Sequence, residues 1–298
     1  MSRIRIGTRG SALALWQAGH AKQRLEALGH EVSLHPITTT GDRLQDRRLE
    51  AVGGKGAFLK EIEEALLAGE VDLAVHSLKD VPTALPAGLV LAAFLERADP
   101  RDALVSGGPR LDALPSGARV GTTSLRRRAL VLAVRPDLVL EDLRGNVDTR
   151  LGKLREGRFD AILLAMAGLE RLGRAQEATE ALDPRRFVPA PGQGAIALEC
   201  REGDAAALAA ILPLHHAPTA RAVTAERTLL AALGGGCNAP LGAHAFAAGS
   251  ALELVAFVAA PDGRALLRAE RSGEDPGALG RALAEEMLAR GARAVMAG

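Results

Sequence analysis

The first part of the chain alternates between two hydrophobic periods. Short apolar runs predict strands, and apolar residues repeated every three or four positions predict helices. The predicted strands are 3–7, 31–37 and 71–76, and the predicted helices are 11–28 and 58–67. Ser11 is a suitable N-cap for the first helix, and Gly29 is a suitable stop. Strands that alternate with helices indicate an α/β fold with largely parallel sheets.

The same pattern starts again after Asp99-Pro100-Arg101-Asp102. The predicted strands here are 119–121, 138–141 and 159–165, and the predicted helices are 124–133 and 147–154. Two α/β units in series predict two lobes with a cleft between them. The segment 189–192, Pro-Ala-Pro-Gly, suits a second crossing between the lobes.

The last part of the chain has a different pattern. A predicted helix over 218–233 comes before predicted strands at 243–248, 252–259 and 265–269 and a helix over 276–290. An antiparallel meander with flanking helices indicates a third, α+β domain. The predicted domains are 1–97 with 192–213, then 98–191, then 214–298.

Composition and charge narrow the possible functions. The 298 residues include 48% hydrophobic and 24% charged positions, with a formal net charge of +1. A protein that grips nucleic acid is normally more basic, and the absence of Tyr leaves few rings for base stacking. The N-terminus has no signal-like apolar run, and no apolar stretch is long enough to span a membrane. We therefore expect a cytoplasmic protein that binds neither nucleic acid nor membrane.

Basic side chains recur where a predicted strand passes into a helix. The three turns are 7–11 (GTRGS), 121–128 (GTTSLRRR) and 144–150 (RGNVDTR). A helix N-terminus already carries partial positive charge, so added arginines there favour a bound anion. Alternatively, each arginine faces solvent or pairs with a nearby aspartate. Three such turns at the same ends of parallel strands favour a cleft lined for anions.

Two further segments have chemical potential. The glycine-rich 52–56 (VGGKG) holds Lys55 but lacks the Walker A pattern, so we interpret it as a loop that covers a site. Lys79 and Asp80 directly follow an apolar strand, where open α/β sheets place their sites. Asp80 there suits acid–base or electrostatic catalysis, and it equally suits a turn or a helix cap.

The two cysteines have different surroundings. Cys237 follows three glycines, which favours an accessible, functional thiol, whereas Cys200 lies in an apolar strand and suits the core. A disulfide between them stays open, although it is disfavoured in a reducing compartment. His215 and His216 are adjacent and have no third ligand nearby, so we predict structural roles for them and no metal site.

Eight of these segments, in order along essentially the whole chain, resemble the porphobilinogen deaminase family. They are TRGSALALWQ (8–17), TGD (40–42), VGGKG (52–56), AVHSLKDVP (74–82), GTTSLRR (121–127), LRGNVDTR (143–150), PGQG (191–194) and GGC (235–237). The resemblance implies two periplasmic-binding-protein-like α/β lobes around a cleft, with a smaller C-terminal α+β domain. It also implies a monomer that joins four porphobilinogen molecules head to tail with loss of ammonia, then releases hydroxymethylbilane by hydrolysis.

The resemblance further implies a role for each candidate residue. Cys237 carries a dipyrromethane cofactor through a thioether, and Asp80 is the catalytic carboxylate that stabilises a cationic azafulvene. The residues implied to bind acetate and propionate side chains are Arg9, Ser11, Lys55, Lys79, Thr122, Thr123, Ser124, Arg126, Arg127, Arg144, Arg150, Arg171 and Gln193. Gly234 and Asn238 stand where many members carry Glu and Gln, which changes the surroundings of the cofactor loop.

Two other functions remain as alternatives. Two α/β lobes around a cleft also suit a non-enzymatic anion receptor or regulatory domain, which needs neither Asp80 nor Cys237. A phosphoryl-transfer enzyme would use Lys55 and the glycine-rich turns, but the sequence has no Walker A motif and no evident acidic metal cluster.

Overall fold

The computed structural model describes residues 2–40, 59–234 and 239–297. Lys55 and Cys237 therefore lie outside the described residues. The chain forms two compact units, of which unit 1 comprises 1–98 with 195–220 and unit 2 comprises 99–194 with 221–298.

The described residues form strands and helices that alternate in part of the chain, as at β1-α1-β2 and β6-α3-β7-α4-β8. The strands are β1 (Arg3–Thr8), β2 (Glu31–Pro36), β3 (Leu73–Ser77), β4 (Leu89–Phe94), β5 (Asp102–Val105), β6 (Arg119–Gly121), β7 (Val139–Glu141), β8 (Ala161–Ala165), β9 (Glu180–Ala181), β10 (Ile196–Arg201), β11 (Leu241–Ala248), β12 (Ala251–Ala259) and β13 (Leu266–Gly273). The helices are α1 (Ala12–Ala27), α2 (Lys60–Leu67), α3 (Leu125–Val134), α4 (Val147–Arg155), α5 (Met166–Arg171), α6 (Ala205–Ile211), α7 (Ala217–Ala232), α8 (Pro276–Ala289) and α9 (Ala292–Ala297).

Unit 1 is built on one mixed sheet in the order β2-β1-β3-β10-β4. β1 pairs in parallel with β2 and β3, whereas β10 is antiparallel to β3 and β4. The expected largely parallel sheet is therefore only half right, because the chain returns from unit 2 and enters between β3 and β4. Ile6, Leu73 and Leu198 are fully buried in the core of this unit.

Unit 2 contains a second mixed sheet in the order β7-β6-β8-β5-β9. β6 is parallel to β7 and β8, and β5 is antiparallel to β8 and β9. The core includes Leu104, Val120 and Leu163, each buried to within 1% exposure. The three parallel strands therefore direct their following turns to one edge of the sheet.

The C-terminal part of unit 2 is an antiparallel three-stranded sheet in the order β11-β12-β13. One set of side chains, including Leu254, packs with helices α7 and α8. The other set, including Val255 and Phe257, packs in the core that holds Val120. Alternate residues of β12 thus serve two cores, as the two-residue period of a strand requires.

The predicted architecture of two α/β lobes and a smaller α+β domain is confirmed, while the cleft stays a prediction. The predicted start and stop of α1 are also right: Ser11 Oγ accepts from Ala14 N at 3.3 Å, and Gly29 has φ +87°. The pattern missed β4 and β5, short apolar runs without helical partners of their own. No helix in the described ranges is long and apolar enough to cross a membrane.

Candidate functional site

In unit 1, four candidate residues lie in turns at the same edge of the sheet. β1 and β3 are adjacent and parallel, so the turns after Thr8 and Ser77 both start from their carboxyl ends. Arg9 and Ser11 follow β1, and Lys79 and Asp80 follow β3. Open α/β sheets place ligand sites at such edges.

The turn that carries Asp80 is fixed by its neighbours. Leu78–Asp80 forms a 3₁₀ turn, in which Leu78 N donates to Ala195 O at 3.0 Å and Val81 N donates to Leu78 O at 3.1 Å. The buried Gln17 on α1 donates from Nε2 to Ser77 Oγ at 2.8 Å. The Asp80 side chain itself is exposed, so a fixed backbone presents a carboxylate to solvent.

In unit 2, two helix N-termini meet the same sheet edge. Ser124 caps α3 by accepting Arg127 N at 3.4 Å, and Asn146 caps α4 by accepting Thr149 N at 2.9 Å. Thr122 is buried, Thr123 is exposed, and both follow β6 directly. Free N–H groups and hydroxyls here form a set of donors suited to anions.

The side chains Asp102, Arg126, Arg127 and Gln193 form one buried group, the arginine cluster. Asp102 accepts Arg126 Nη1 at 2.7 Å and Nη2 at 3.0 Å, Arg127 Nε at 3.0 Å and Gln193 Nε2 at 2.9 Å. Burial raises the pKa of the Asp102 carboxyl, but the guanidiniums of Arg126 and Arg127 outweigh it and hold that pKa well below its usual value. Burial lowers the pKa of Arg127.

Within the arginine cluster, Arg126 and Arg127 use most of their donors on protein atoms. Arg126 Nη1 also donates to Val188 O at 2.8 Å, and Arg127 Nη1 donates to Leu163 O at 2.9 Å. The sequence alternative of pairing with an aspartate describes both arginines, and their direct contact with substrate stays a prediction. Two guanidiniums against one carboxylate still leave a surplus positive charge at this edge.

Gln193 and Arg171 hold the segment where the chain leaves unit 2. Gln193 Nε2 donates to Pro100 O at 2.7 Å, and Arg171 Nη2 donates to Gly194 O at 2.6 Å. Arg171 is 9% exposed, and burial lowers the pKa of its guanidinium to about 10. Gly192 and Gly194 have φ of +74° and +87°, which favours glycine at both positions.

The remaining basic candidates lie near α4 and are partly exposed. Arg150 Nε donates to Gly145 O at 2.7 Å, and Arg144 lies 4.0 Å from the Asp142 carboxylate. Gly145 has φ +111°, and a Cβ there would lie 2.6 Å from Thr149 Cγ2. This turn therefore requires glycine to bring Arg144 and Arg150 to the same helix start.

Two buried carboxylates of unit 2 were missed by the sequence reasoning. One is Asp102, which the sequence treated as the start of the second lobe. The other is Glu226 on α7, which accepts Gly192 N at 2.7 Å, Ala245 N at 2.9 Å and His244 Nδ1 at 3.2 Å. Both are wholly or almost wholly buried, at 1% and 0% exposure. A sequence signal for Asp102 was available, because two adjacent arginines at a helix start need an acidic partner if they are buried.

The cysteine and histidine predictions differ in outcome. Cys200 is fully buried, and burial raises its pKa to about 11, so its predicted core role is confirmed. His216 Nδ1 lies 2.8 Å from Thr219 Oγ1, a structural contact. Across the described ranges, no three His, Cys, Asp or Glu side chains are grouped to hold a metal ion, and the absence of a metal stays a prediction.

The solved structures that resemble this chain in fold include two binding proteins. The methionine binding protein MetQ has a TM-score of 0.44 and 16% identity, with 71% of this chain and 89% of that chain covered. The L-cystine solute receptor of Neisseria gonorrhoeae has a TM-score of 0.41 and 16% identity, with 72% and 85% covered.

Relatives by sequence are much more similar. The porphobilinogen deaminase of Pelobacter propionicus is 51% identical over 298 residues, with 99% of this chain and 96% of the relative covered. That of Roseiflexus castenholzii is 53% identical over 300 residues, with 99% of each covered.

Family models match almost the full length. The model described as "Porphobilinogen deaminase, dipyromethane cofactor binding domain" matches residues 4–209. The model described as "Porphobilinogen deaminase, C-terminal domain" matches residues 220–289. The chain belongs to the porphobilinogen deaminase family.

Proposed function

We propose that this chain catalyses the porphobilinogen deaminase reaction, a transferase step of tetrapyrrole and haem biosynthesis. Four porphobilinogen molecules are joined head to tail with loss of one ammonia each, and the linear tetrapyrrole hydroxymethylbilane is then released by water. The structural observation that carries the proposal is the position of Asp80. An exposed carboxylate on a fixed turn shares its sheet edge with Arg9, Ser11 and Lys79.

The described residues fit a dipyrromethane group by the chemistry of their donors. Such a group carries acetate and propionate side chains, so it needs cations, hydroxyls and backbone N–H groups. The edge of unit 2 offers the capped starts of α3 and α4, the exposed Thr123 and the surplus charge of the arginine cluster. When bound, the group supplies the growing end to which each new pyrrole is joined. Cys237, the proposed attachment point, lies outside the described residues.

Asp80 is the residue we assign to catalysis. As ammonia leaves porphobilinogen, positive charge develops on the substrate, and a carboxylate held close to it stabilises that charge. The turn geometry keeps this carboxylate in place without using it for packing, since the backbone of Leu78 and Val81 makes the turn's hydrogen bonds. Lys79, the preceding residue, is assigned to a substrate carboxylate.

The other candidates bind carboxylates in this proposal. Each added pyrrole brings two carboxylates, so negative charge accumulates as the product grows. Ser11, Thr122, Thr123 and Ser124 offer hydroxyls, and Arg9, Arg144 and Arg150 offer guanidiniums that suit forked contacts. Arg126, Arg127, Arg171 and Gln193 are buried and act in part by shaping the edge. Lys55 is assigned to a covering loop outside the described residues.

The proposal also includes the oligomeric state, the compartment and the partners of the chain. We expect the chain to act as a monomer in the cytoplasm, independently of nucleic acid and membrane. Light scattering of the purified protein measures the first, and a mass of two chains would contradict it.

The proposed activity is tested by ammonia release. Purified wild-type protein is incubated with porphobilinogen, and ammonia and tetrapyrrole are measured. We expect four ammonia per tetrapyrrole from the wild type and no turnover from a folded Asp80→Ala variant. Asp112→Asn, an exposed carboxylate on another turn, is the matched control and should keep wild-type turnover. An active Asp80→Ala protein would contradict the catalytic assignment.

The attachment point is tested by intact mass. Denatured wild-type protein should be heavier than its sequence by two linked pyrrole units, and Cys237→Ser should lack that excess. If no adduct forms even after incubation with porphobilinogen, the non-enzymatic anion receptor becomes the better interpretation.

A further inference from the structure

A second group of titratable side chains lies inside unit 1, next to the turn that carries Asp80. It comprises Glu63 on α2, His76 on β3 and Glu199 on β10, and we name it the acidic cluster. Their exposed fractions are 8%, 6% and 0%. The mechanism above uses none of the three, and burying charged groups without a purpose is costly.

Strand geometry brings Glu199 and His76 together. β3 and β10 are antiparallel, with Ala197 opposite His76 and Glu199 opposite Ala74. Positions two apart on a strand share a face, so Glu199 reaches the imidazole diagonally. His76 Nε2 lies 2.9 Å from Glu199 Oε2. The other oxygen, Glu199 Oε1, is buried and has no hydrogen-bond partner within the described ranges.

Glu63 adds a second acid to the same group. Burial raises the pKa of Glu63 most, the negative charge of Glu199 raises it further, and His76 opposes both. Arg201 on β10 is a cation of the same strand, but its guanidinium donates to Leu66 O and Val71 O, at 2.7 and 2.8 Å, and to the Asp204 carboxylate at 2.6 Å. Glu63 therefore interacts electrostatically with both members of the Glu199–His76 pair.

The same two strands hold the catalytic turn. Ile196 pairs with Ser77, and Ala195 O accepts Leu78 N at 3.0 Å. The start of β10 is therefore the support of the Leu78–Asp80 turn, and the Glu199–His76 contact joins β10 to β3 within four residues of it. A loss of this contact would loosen the support on which the Asp80 carboxylate depends.

We propose that His76 and Glu199 are positioning residues for the turn that carries Asp80, because their contact joins β10 to β3 beside that turn. The inference rests on the proposed function, since it concerns the position of the catalytic carboxylate.

The first test separates positioning from binding. Steady-state turnover of porphobilinogen is measured for Glu199→Gln in cofactor-loaded protein. A misplaced catalytic group lowers kcat, so we expect about a ten-fold loss of kcat or more, with KM within about two-fold of wild type. The mass of the bound cofactor should be unchanged. A folded Glu199→Gln protein with wild-type kcat would overturn the proposal.

The second test uses the other member of the pair. His76→Gln removes the imidazole that contacts Glu199, so kcat should fall as in Glu199→Gln, with KM within about two-fold of wild type. Glu64→Gln is the control and should keep wild-type kcat, because Glu64 is exposed on α2 and lies 3.8 Å from Lys60. A folded His76→Gln protein with wild-type kcat would overturn the proposal, even if Glu199→Gln fails to fold.

A third measurement is independent of activity. Hydrogen exchange of the turn amides of Leu78 and Val81 should be faster in Glu199→Gln than in wild type and Glu64→Gln, because these amides make the turn's hydrogen bonds. Unchanged exchange in a folded Glu199→Gln protein would overturn the proposed support of the turn. Wild-type protein that releases no ammonia would instead contradict the proposed function while leaving this result interpretable.

Discussion

The two units bury charge at the same kind of sheet edge in opposite ways. In unit 2, the arginine cluster surrounds one carboxylate, Asp102, with two guanidiniums and an amide, and the excess charge is positive. In unit 1, the acidic cluster has two carboxyls and one imidazole, and Glu199 Oε1 has no hydrogen-bond partner among the described residues. Arginines cannot release their protons, so unit 2 must keep its charge, whereas unit 1 can take up a proton.

This difference separates two tasks of one enzyme. A permanent positive excess suits an edge that receives carboxylates throughout a repeated reaction. A group that can become neutral suits the support of a turn that must present one carboxylate in a constant position.

The largest expected effect is the loss of the central carboxylate of unit 2. Asp102→Asn leaves two buried guanidiniums facing a neutral amide, which should lower the free energy of unfolding by about 3–5 kcal/mol. Chemical denaturation measures it. The exposed Asp112→Asn should stay within about 0.5 kcal/mol of wild type. Equal stability of the two variants would show that Asp102 is not the residue that neutralises the cluster.

A smaller effect is expected at Glu226, which anchors the 191–194 turn. Glu226→Gln cannot accept all three N–H donors of Gly192, Ala245 and His244, so we expect a loss of about 2 kcal/mol in the free energy of unfolding. Because Gln193 of that turn binds Asp102, apparent KM for porphobilinogen should also rise. The exposed Glu285→Gln is the control. A stable variant with raised KM would mean that the turn matters for binding alone.

The smallest effect is a difference in how stability depends on pH. Asp102 has a pKa lowered from 3.8, so its stabilisation is present above that pH and is lost as pH falls further. Glu63 has a pKa raised from 4.5, so its contribution is complete below that pH and declines as pH rises through the raised value. Glu63→Gln should remove that decline, and Asp102→Asn should weaken the acid loss. Chemical denaturation between acid and mildly alkaline pH measures how the free energy of unfolding depends on pH. Parallel curves for wild type and Glu63→Gln would contradict the expectation for Glu63.

Much of the fold could be predicted from local pattern. Helices α1, α3 and α8 follow from caps and from 3.6-residue spacing, and the meander β11–β13 follows from two-residue alternation. The antiparallel pairing of β10 with β3 and β4 could not be predicted, because the residue pattern of 196–201 does not indicate its partner strands. The same limit applies to β4 and β5, because a short apolar run does not indicate the partner or the orientation of a strand.

The candidate site divides in the same way. Arg9, Ser11, Asp80 and Ser124 could be predicted, since turn chemistry after a parallel strand is a local signal. The partners of Arg126 and Arg127 could not, because Asp102 is 24 residues from Arg126 in the chain and faces it through sheet pairing. In the acidic cluster, His76 and Glu199 are 123 positions apart. Helix and strand periods relate only residues that are a few positions apart, so this contact could not be predicted.

Local sequence establishes which chemistry is available: hydroxyls and cations at helix starts, a carboxylate after β3, and a thiol after three glycines. These depend on neighbours along the chain, whose spacing is fixed by helix and strand periods. Which of these groups form ion pairs or hydrogen bonds with one another depends on the tertiary structure. Burial removes water as the alternative partner, so a charged side chain must use whatever the fold brings beside it. That is why Arg126 and Arg127 bind Asp102, while Asp80 stays exposed.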